Sequence, residues 1–355
     1  MEQRRRIEMK AGIFYKTGTV GVEEIDKPIP GPNDVVVRVL RGGICGSDVF
    51  AFRDNNRLTC VNQKGDNGAD GTFGHELCGI VDTLGKNVTG IEVGDRVFVN
   101  PNTARRKGIA DSLGGAFSEY MYVEDAKYDY NMQKWGDDVS SNHAALLEPM
   151  CVATHGKNQA RVTAEDNVLI LGGGAIGLCA LAACLNTGCK NVVVVDMFEN
   201  RLEAARKIGG KGFNSKTDGD MAEYLKEQFG IHTTFFGVSF PNIHAVIDCA
   251  GAASLLDQVL HMATDKMRVA IIAGYAEPYN MDMSFFGSMQ VEMHGSRGFE
   301  QKDVEEAFEN INSGKINIDP IITHHFKLDD IKEAFETAND PTRGAIKILI
   351  DVAEA

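Results

Sequence analysis

The sequence is short of positive charge: 36 Lys plus Arg stand against 50 Asp plus Glu, a formal net charge of −14. A chain this acidic has no overall basic field to hold a phosphate backbone, which argues against a nucleic-acid partner. It has no uninterrupted run of about eighteen apolar residues, so no membrane span is expected. Met1 to Arg6 is briefly basic, but Ile7-Glu8-Met9-Lys10 is not an apolar core, so no signal peptide is expected. The eight cysteines (45, 60, 78, 151, 179, 184, 189, 249) form no closely spaced framework, which is thiol usage of a reducing compartment; a cytoplasmic protein is expected. No internal repeat and no low-complexity segment is present.

What is present fits an ordinary globular protein, 43% apolar and 24% charged. At roughly 150 residues per domain, 355 residues suggest two domains. The first ~155 residues carry short β-type runs (Val35 to Leu40, Gly79 to Leu84, Asp95 to Val99) punctuated by Gly, Pro, Asn and Asp. After about residue 150 the pattern becomes strand, helix, strand, helix. Asn167 to Leu171 and Asn191 to Val195 are continuous apolar runs, with Ala175 to Asn186 and Glu199 to Ile208 as helices; Ala245 to Asp248 and Arg268 to Ile272 are further strands. Strands apolar on both faces imply a parallel sheet covered by helices. From about Val291 the pattern changes again, with helices at Asp303 to Ile311 and Leu328 to Ala338 and a closing strand at Ala345 to Ile350. The expected architecture is α/β: a β-rich domain from residues 1–155 and 291–355, with a doubly wound domain at 156–290 inserted in it.

Gly172-Gly173-Gly174-Ala175-Ile176-Gly177 matches G-x-G-x-x-G, follows an apolar strand and opens an apolar helix. A second strand ends at Asp196, 19 residues after Gly177. In that context the motif reads as a dinucleotide site: Gly172 for the tight turn, Gly174 for close approach of a pyrophosphate, and Gly177 for close helix–strand packing. The N–H groups at the helix start, around Ile176, would take the phosphate charge. Asp196 is placed to accept the adenosine ribose hydroxyls and to repel a 2′-phosphate, favouring NAD over NADP. Arg201 is either a softener of that preference or a solvated helix residue. A glycine turn that only packs is the competing reading.

Cys45, in Gly43-Ile44-Cys45-Gly46-Ser47-Asp48, His75 and Glu76, in Gly74-His75-Glu76, and Glu148, before Pro149, supply a thiolate, an imidazole and two carboxylates. Three such ligands with a fourth position open is the pattern of catalytic zinc. Taken singly, Cys45 reads as a small buried residue, His75 as a hydrogen-bonded core histidine and Glu148 as a turn residue.

Together with Val93-Gly94-Asp95-Arg96-Val97, the glycine turn, Asp196, Arg201 and the closing Lys347-Ile348-Leu349-Ile350, these motifs make the chain resemble the zinc-containing medium-chain dehydrogenases, in style the sorbitol (polyol) and threonine dehydrogenase branch, from about Lys10 to Asp351. The resemblance implies a GroES-like catalytic domain with a Rossmann domain inserted. It implies a catalytic zinc on Cys45, His75 and either Glu76 or Glu148, with Glu148 ranked slightly ahead. It further implies NAD as hydride carrier and a homodimer or homotetramer; Ser47, two residues after Cys45, is the candidate for passing the hydroxyl proton toward solvent, with a turn-capping hydroxyl as the competing reading. The implied reaction is hydride transfer between NAD(H) and a secondary hydroxyl or ketone of a polyol, sugar or related hydroxy compound. The alternatives are a zinc-free quinone reductase of the same fold and a catalytically silent NAD-binding regulator. Two features depart from the relatives. Residues 100–115 hold no cysteine, so one catalytic zinc and no structural zinc is expected, and the polar loop Arg53 to Gly71 is unusually long. His155 and Lys157 are expected to be structural or exposed and His324-His325 a surface pair at a strand edge, while the resemblance makes Arg297 a candidate for a cofactor or substrate contact.

Overall fold

The apolar runs punctuated by Gly and Pro fold as strands, and their order divides the chain into two units. The computed structural model describes residues 7–54, 63–65, 70–104 and 115–354. One unit runs up to Glu148 and resumes at Ile322; the other is Pro149–Ile321.

The first unit opens with the antiparallel hairpin β1 (Glu8–Lys16) and β2 (Thr19–Asp26), turned at Gly18 with φ of 75°. There follow β3 (Val35–Gly43), α1 (Gly46–Arg53), β4 (Glu76–Leu84), β5 (Arg96–Val99), β6 (Tyr120–Val123), β7 (Met132–Lys134) and α2 (Ser141–Ala145); α3 (Leu147–Gln159) starts in this unit and continues in the second. In the second unit the elements are β8 (Asn167–Leu171), α4 (Ala175–Thr187), β9 (Asn191–Asp196), α5 (Glu199–Ile208), β10 (Lys211–Asn214), α6 (Met221–Phe229), β11 (Ile231–Thr233), β12 (Ser239–Pro241), β13 (Ala245–Asp248), α7 (Ala253–Leu260), β14 (Arg268–Ile271), α8 (Ser284–Ser288), β15 (Glu292–Gly295) and α9 (Gln301–Ser313). The chain then returns with β16 (Ile322–Lys327), α10 (Ile331–Asn339) and β17 (Lys347–Asp351).

The first unit is built on a sheet of order β16-β17-β3-β4-β5-β7, with β6 also paired to β3. Antiparallel pairing of β17 with β3 stitches the chain's last strand into the centre of this sheet. Its core gathers Phe14, Phe52, Phe73, Phe117 and Phe335 with Val, Leu and Ile from β3, β4 and β17. Ring pairs such as Phe73–Phe117, 4.9 Å between centroids at 64°, are in the edge-to-face geometry that aromatic quadrupoles favour.

The second unit is a six-stranded parallel sheet, β10-β9-β8-β13-β14-β15. The strand order reverses between β8 and β13, the point at which doubly wound sheets open a crevice at their carboxyl ends. Strand β8 is buried at every residue, as expected of a parallel strand covered on both faces.

The expected domain limits need correction at both junctions. The first falls at Glu148 rather than 155, because Pro149 and most of α3 pack with the second unit. The second falls at Ile321 rather than 290, because Glu292–Gly295 adds a parallel strand to β14 and α9 stays with that unit. The sequence from Val291 is too short and polar as a strand to disclose its sheet. His155 and Lys157 are buried in this unit: His155 Nδ1 lies 2.7 Å from Asp303 Oδ2, and Lys157 pairs with Glu306, both acids on α9. Arg297 and His325 are exposed, His325 pairing with Asp351 at 2.9 Å, whereas His324 is half-buried. Most of the long loop between Arg53 and Gly71, Cys60 included, and residues 105–114 lie outside the described residues.

Candidate metal centre and dinucleotide site

Three segments of the first unit meet at one point. Cys45 is the N-cap of α1, with extended backbone (φ −84°, ψ 153°), and its N–H is held by Asp48 Oδ2 at 3.0 Å. His75 stands one residue before β4. Its neighbour Gly74 has φ of 87°, and a Cβ there would lie 2.6 Å from the Phe117 ring, so only glycine lets the chain turn into this corner. Glu76 begins β4 opposite Gly43 of β3, where a Cβ would lie 2.2 Å from Glu76 Oε2; that glycine leaves the carboxylate its room.

Cys45, His75 and Glu76 each offer a ligand atom within 4.8 Å of the others. Ligands about 2.0–2.3 Å from a tetrahedral zinc stand roughly 3.5 Å apart, so a small contraction suffices. The donor set fits a metal on a second ground. His75 Nδ1 and Asp48 Oδ1 are buried, 3.8 Å apart, and without a hydrogen-bond partner. Such a carboxylate behind a histidine is the arrangement that orients an imidazole ligand toward a metal. Burial pulls the His75 pKa down, but the charges of Cys45, Asp48 and Glu148 overcome it, and the net shift is well above the ordinary value. Burial pushes Asp48 up, against the pull of His75 and the Cys45 N–H.

Glu148, the second residue of α3, is also buried but falls outside the mutually close trio. Glu76 is thus the carboxylate that stands in one close group with Cys45 and His75. Burial raises Glu148 to about 7, opposed by His75 and Lys347 and reinforced by Glu76 and Asp48. Ser47, at the second position of α1, is half-buried two residues from Cys45.

One participant escaped sequence reasoning. Lys347, the first residue of β17, donates to Glu76 Oε1 at 2.8 Å, to Oε2 at 2.6 Å and to Ile44 O at 2.9 Å, with both side chains almost wholly buried. Nothing in the local sequence of the last strand signals a partner 271 residues away; only the β17–β3–β4 order makes the contact.

In the second unit β8 runs into the glycine turn. Gly172 has φ of 93° and donates to Val195 O, and a Cβ there would lie 3.1 Å from Ala250 N. Gly174 is the N-cap of α4 and nothing lies within 4 Å of where its Cβ would be, which leaves space over the helix start. At Gly177 a Cβ would lie 1.8 Å from Gly172 O, so the turn and the helix touch. Ile176 is half-buried in the first turn, where the backbone N–H groups have no intrahelical acceptor. Asp196, at the end of β9, is buried and already engaged: Oδ2 accepts the Gly173 N–H at 2.7 Å and Arg201 Nη1 at 3.3 Å, and Oδ1 accepts the Phe198 N–H at 2.9 Å. Arg201 is thus tied to Asp196 rather than free in solvent, and its guanidinium also lies over the Phe198 ring at 4.9 Å.

Comparison with known proteins agrees with both halves. A family model described as alcohol dehydrogenase GroES-like domain matches residues 31–134, and one described as zinc-binding dehydrogenase matches 175–313. D-xylulose reductase of Scheffersomyces stipitis is 29% identical, with 96% of this chain and 98% of that protein aligned. L-threonine 3-dehydrogenase of Deinococcus deserti is 27% identical over 97% of each. The crystal structure of 2R,3R-butanediol dehydrogenase from Bacillus subtilis shares the fold at a TM-score of 0.83 and 23% identity, covering 97% of this chain and all of that one. With a GroES-like sheet carrying the Cys45–His75–Glu76 trio and a doubly wound unit carrying the glycine turn, the chain belongs to the zinc-containing medium-chain dehydrogenases, on their polyol and threonine dehydrogenase-like branch.

Proposed function

We propose that the protein transfers a hydride between NAD(H) and the secondary hydroxyl or ketone of a polyol, sugar or related hydroxy compound, with one catalytic zinc and no structural zinc. The observation that carries this is the trio Cys45, His75 and Glu76 within 4.8 Å, backed by the unpartnered His75 Nδ1 and Asp48 Oδ1. When bound, zinc supplies Lewis acidity at the substrate oxygen, and the nicotinamide takes the hydride.

The chain's own residues divide the remaining work. Cys45, His75 and Glu76 would hold the metal, and Asp48 orients His75 from behind. Glu148 is a second carboxylate beside them, suited to a water or a rearranged ligand position. Ser47 is the candidate for carrying the substrate proton toward solvent. Gly172, Gly174, Ile176 and Gly177 form the pyrophosphate turn, while Asp196, with Arg201 behind it, keeps lone pairs for the adenosine ribose. The absence of cysteine from residues 100–115 supports the single zinc. Among the described residues no helix is long and apolar enough to cross a membrane. A cytoplasmic homodimer or homotetramer completes the reading.

NAD reduction across polyols, aldoses, cyclitols, threonine and diols, with and without a chelator, tests it. Chelator-sensitive turnover of one class is expected; full rates after complete zinc removal overturn the proposal. Asp196→Ala should shift the ratio of kcat/KM for NAD over NADP toward NADP by roughly tenfold, about 1.4 kcal/mol, because a carboxylate no longer faces the 2′-phosphate. Unchanged selectivity would remove Asp196 from the ribose site.

A further inference from the structure

The dinucleotide reading leaves unexplained a cluster on the far side of the crevice. Asp248 ends β13, beside Leu171 of β8, and is 1% exposed. A carboxylate so deeply buried has to be satisfied by donors. Asp248 Oδ1 accepts the N–H groups of Ala250 (2.9 Å) and Gly251 (3.1 Å), and Oδ2 accepts the Tyr275 hydroxyl at 2.6 Å. Its backbone oxygen accepts from Ile272 (2.9 Å) and Ala273 (3.0 Å) in the segment leaving β14. The two stretches are in contact: a Cβ on Gly251, which has φ of 63°, would lie 2.5 Å from Gly274 O. Tyr275 in turn stacks on Tyr279, with ring centroids 6.4 Å apart and 18° between planes, and Tyr279 donates to Asp257 of α7 at 2.7 Å.

The placement of this cluster gives it a use. The acid proposed for the adenosine ribose, Asp196, is at the end of β9, on one side of β8. The glycine turn itself follows β8. A dinucleotide whose pyrophosphate sits at that turn and whose adenosine lies toward β9 must extend its other half over the ends of β13 and β14, across the switch point. Ala250, Gly251 and Gly274 supply a side-chain-poor backbone floor there, and Gly172 abuts it, since its Cβ would lie 3.1 Å from Ala250 N.

Building on the dinucleotide reading, we propose that Tyr275, through Asp248, is a positioning residue for the nicotinamide half of the cofactor: its hydroxyl locks the carboxylate that sets the Ala250–Gly251 backbone and ties the segment after β14 against it. Tyr275 stays a proton donor in this role, because burial and the Asp248 charge both push its hydroxyl far above the ordinary range. Tyr275 does not touch the cofactor. It determines the shape of the surface that does.

The test is Tyr275→Phe in the full-length protein, which keeps the ring and its stacking and deletes one hydroxyl. NADH binding is read by its fluorescence, and AMP, which carries only the adenosine half, serves as the second probe by displacement or calorimetry. The expected result is a roughly tenfold weaker NADH affinity, about 1.4 kcal/mol, with AMP affinity within twofold of wild type. Tyr279→Phe, which frees Asp257 rather than Asp248, should move NADH affinity by less than threefold. Equal losses for NADH and AMP in Tyr275→Phe, or no loss of either, overturn the positioning role, since a general loosening of the unit would not spare the adenosine half. Wild-type protein that binds neither probe would overturn the dinucleotide reading itself, an outcome distinct from the first. None of these measurements needs the zinc site or the substrate.

Discussion

Replacing Cys45 by serine should empty the metal site and lower turnover on any accepted alcohol by about a thousandfold or more, while NADH affinity stays within twofold of wild type. The magnitude follows from what is removed. A Lewis acid on a reacting oxygen is worth several kcal/mol, and about 4 kcal/mol is three powers of ten in rate. The separation of effects follows from chain topology: Cys45, His75 and Glu76 belong to the unit built on β3, β4 and β17, and the glycine turn belongs to the other. Zinc content by elemental analysis, turnover and NADH binding are three independent readouts. Loss of zinc with retained turnover would place the chemistry on another group. Loss of zinc together with NADH binding would mean that the substitution had damaged more than the metal site. Serine keeps the N-cap preference of that position, so α1 itself should form as before.

The second large effect concerns stability. Lys347→Met should cost about 3–5 kcal/mol, because it leaves Glu76 buried with its charge uncompensated. For a unit of this size that corresponds to a fall in melting temperature on the order of 10 °C, measured in the presence of chelator so that metal binding does not mask it. Adding Glu76→Gln in the same chain should recover most of the loss, since no buried charge then remains. A melting temperature unchanged by Lys347→Met, or a double variant no more stable than the single one, would show that the Lys347–Glu76 pair is not what holds β17 against the β3–β4 edge. The pair also fixes Glu76 beside Cys45 and His75, so the same lysine that secures the last strand shapes the metal centre.

The elements most legible in the sequence were those in which local pattern and burial agree. Asn167–Leu171 is uniformly apolar because a parallel strand is covered on both faces, and Glu199–Ile208 alternates so clearly that its helix limits coincide with expectation. Shorter elements escaped: the β11–β12 hairpin, α6 and α7 carry too few periods to rise above their neighbours. Leu328 to Ala338 was expected as one helix but is a 3-10 turn at Leu328–Asp330 followed by α10, since Asp329 and Asp330 favour a turn and cap over a helix interior. The second domain limit was misplaced because a polar four-residue strand, Glu292–Gly295, has no signature of the sheet it joins.

The amino-acid sequence by itself determined the chemical types at the two sites: a thiolate, an imidazole and two carboxylates spread over a β-rich lobe, and a glycine turn with an acid one strand later. Those are local patterns, set by backbone freedom at glycine and by the short reach from a strand to its following helix. Which carboxylate stands with Cys45 and His75, that Lys347 closes the back of the site, and that Asp196 and Asp248 are already held by backbone N–H groups were decided only by tertiary structure. Each depends on partners brought together by sheet order over sequence separations of up to 303 residues, and strand pairing at that range leaves no mark on the residues between.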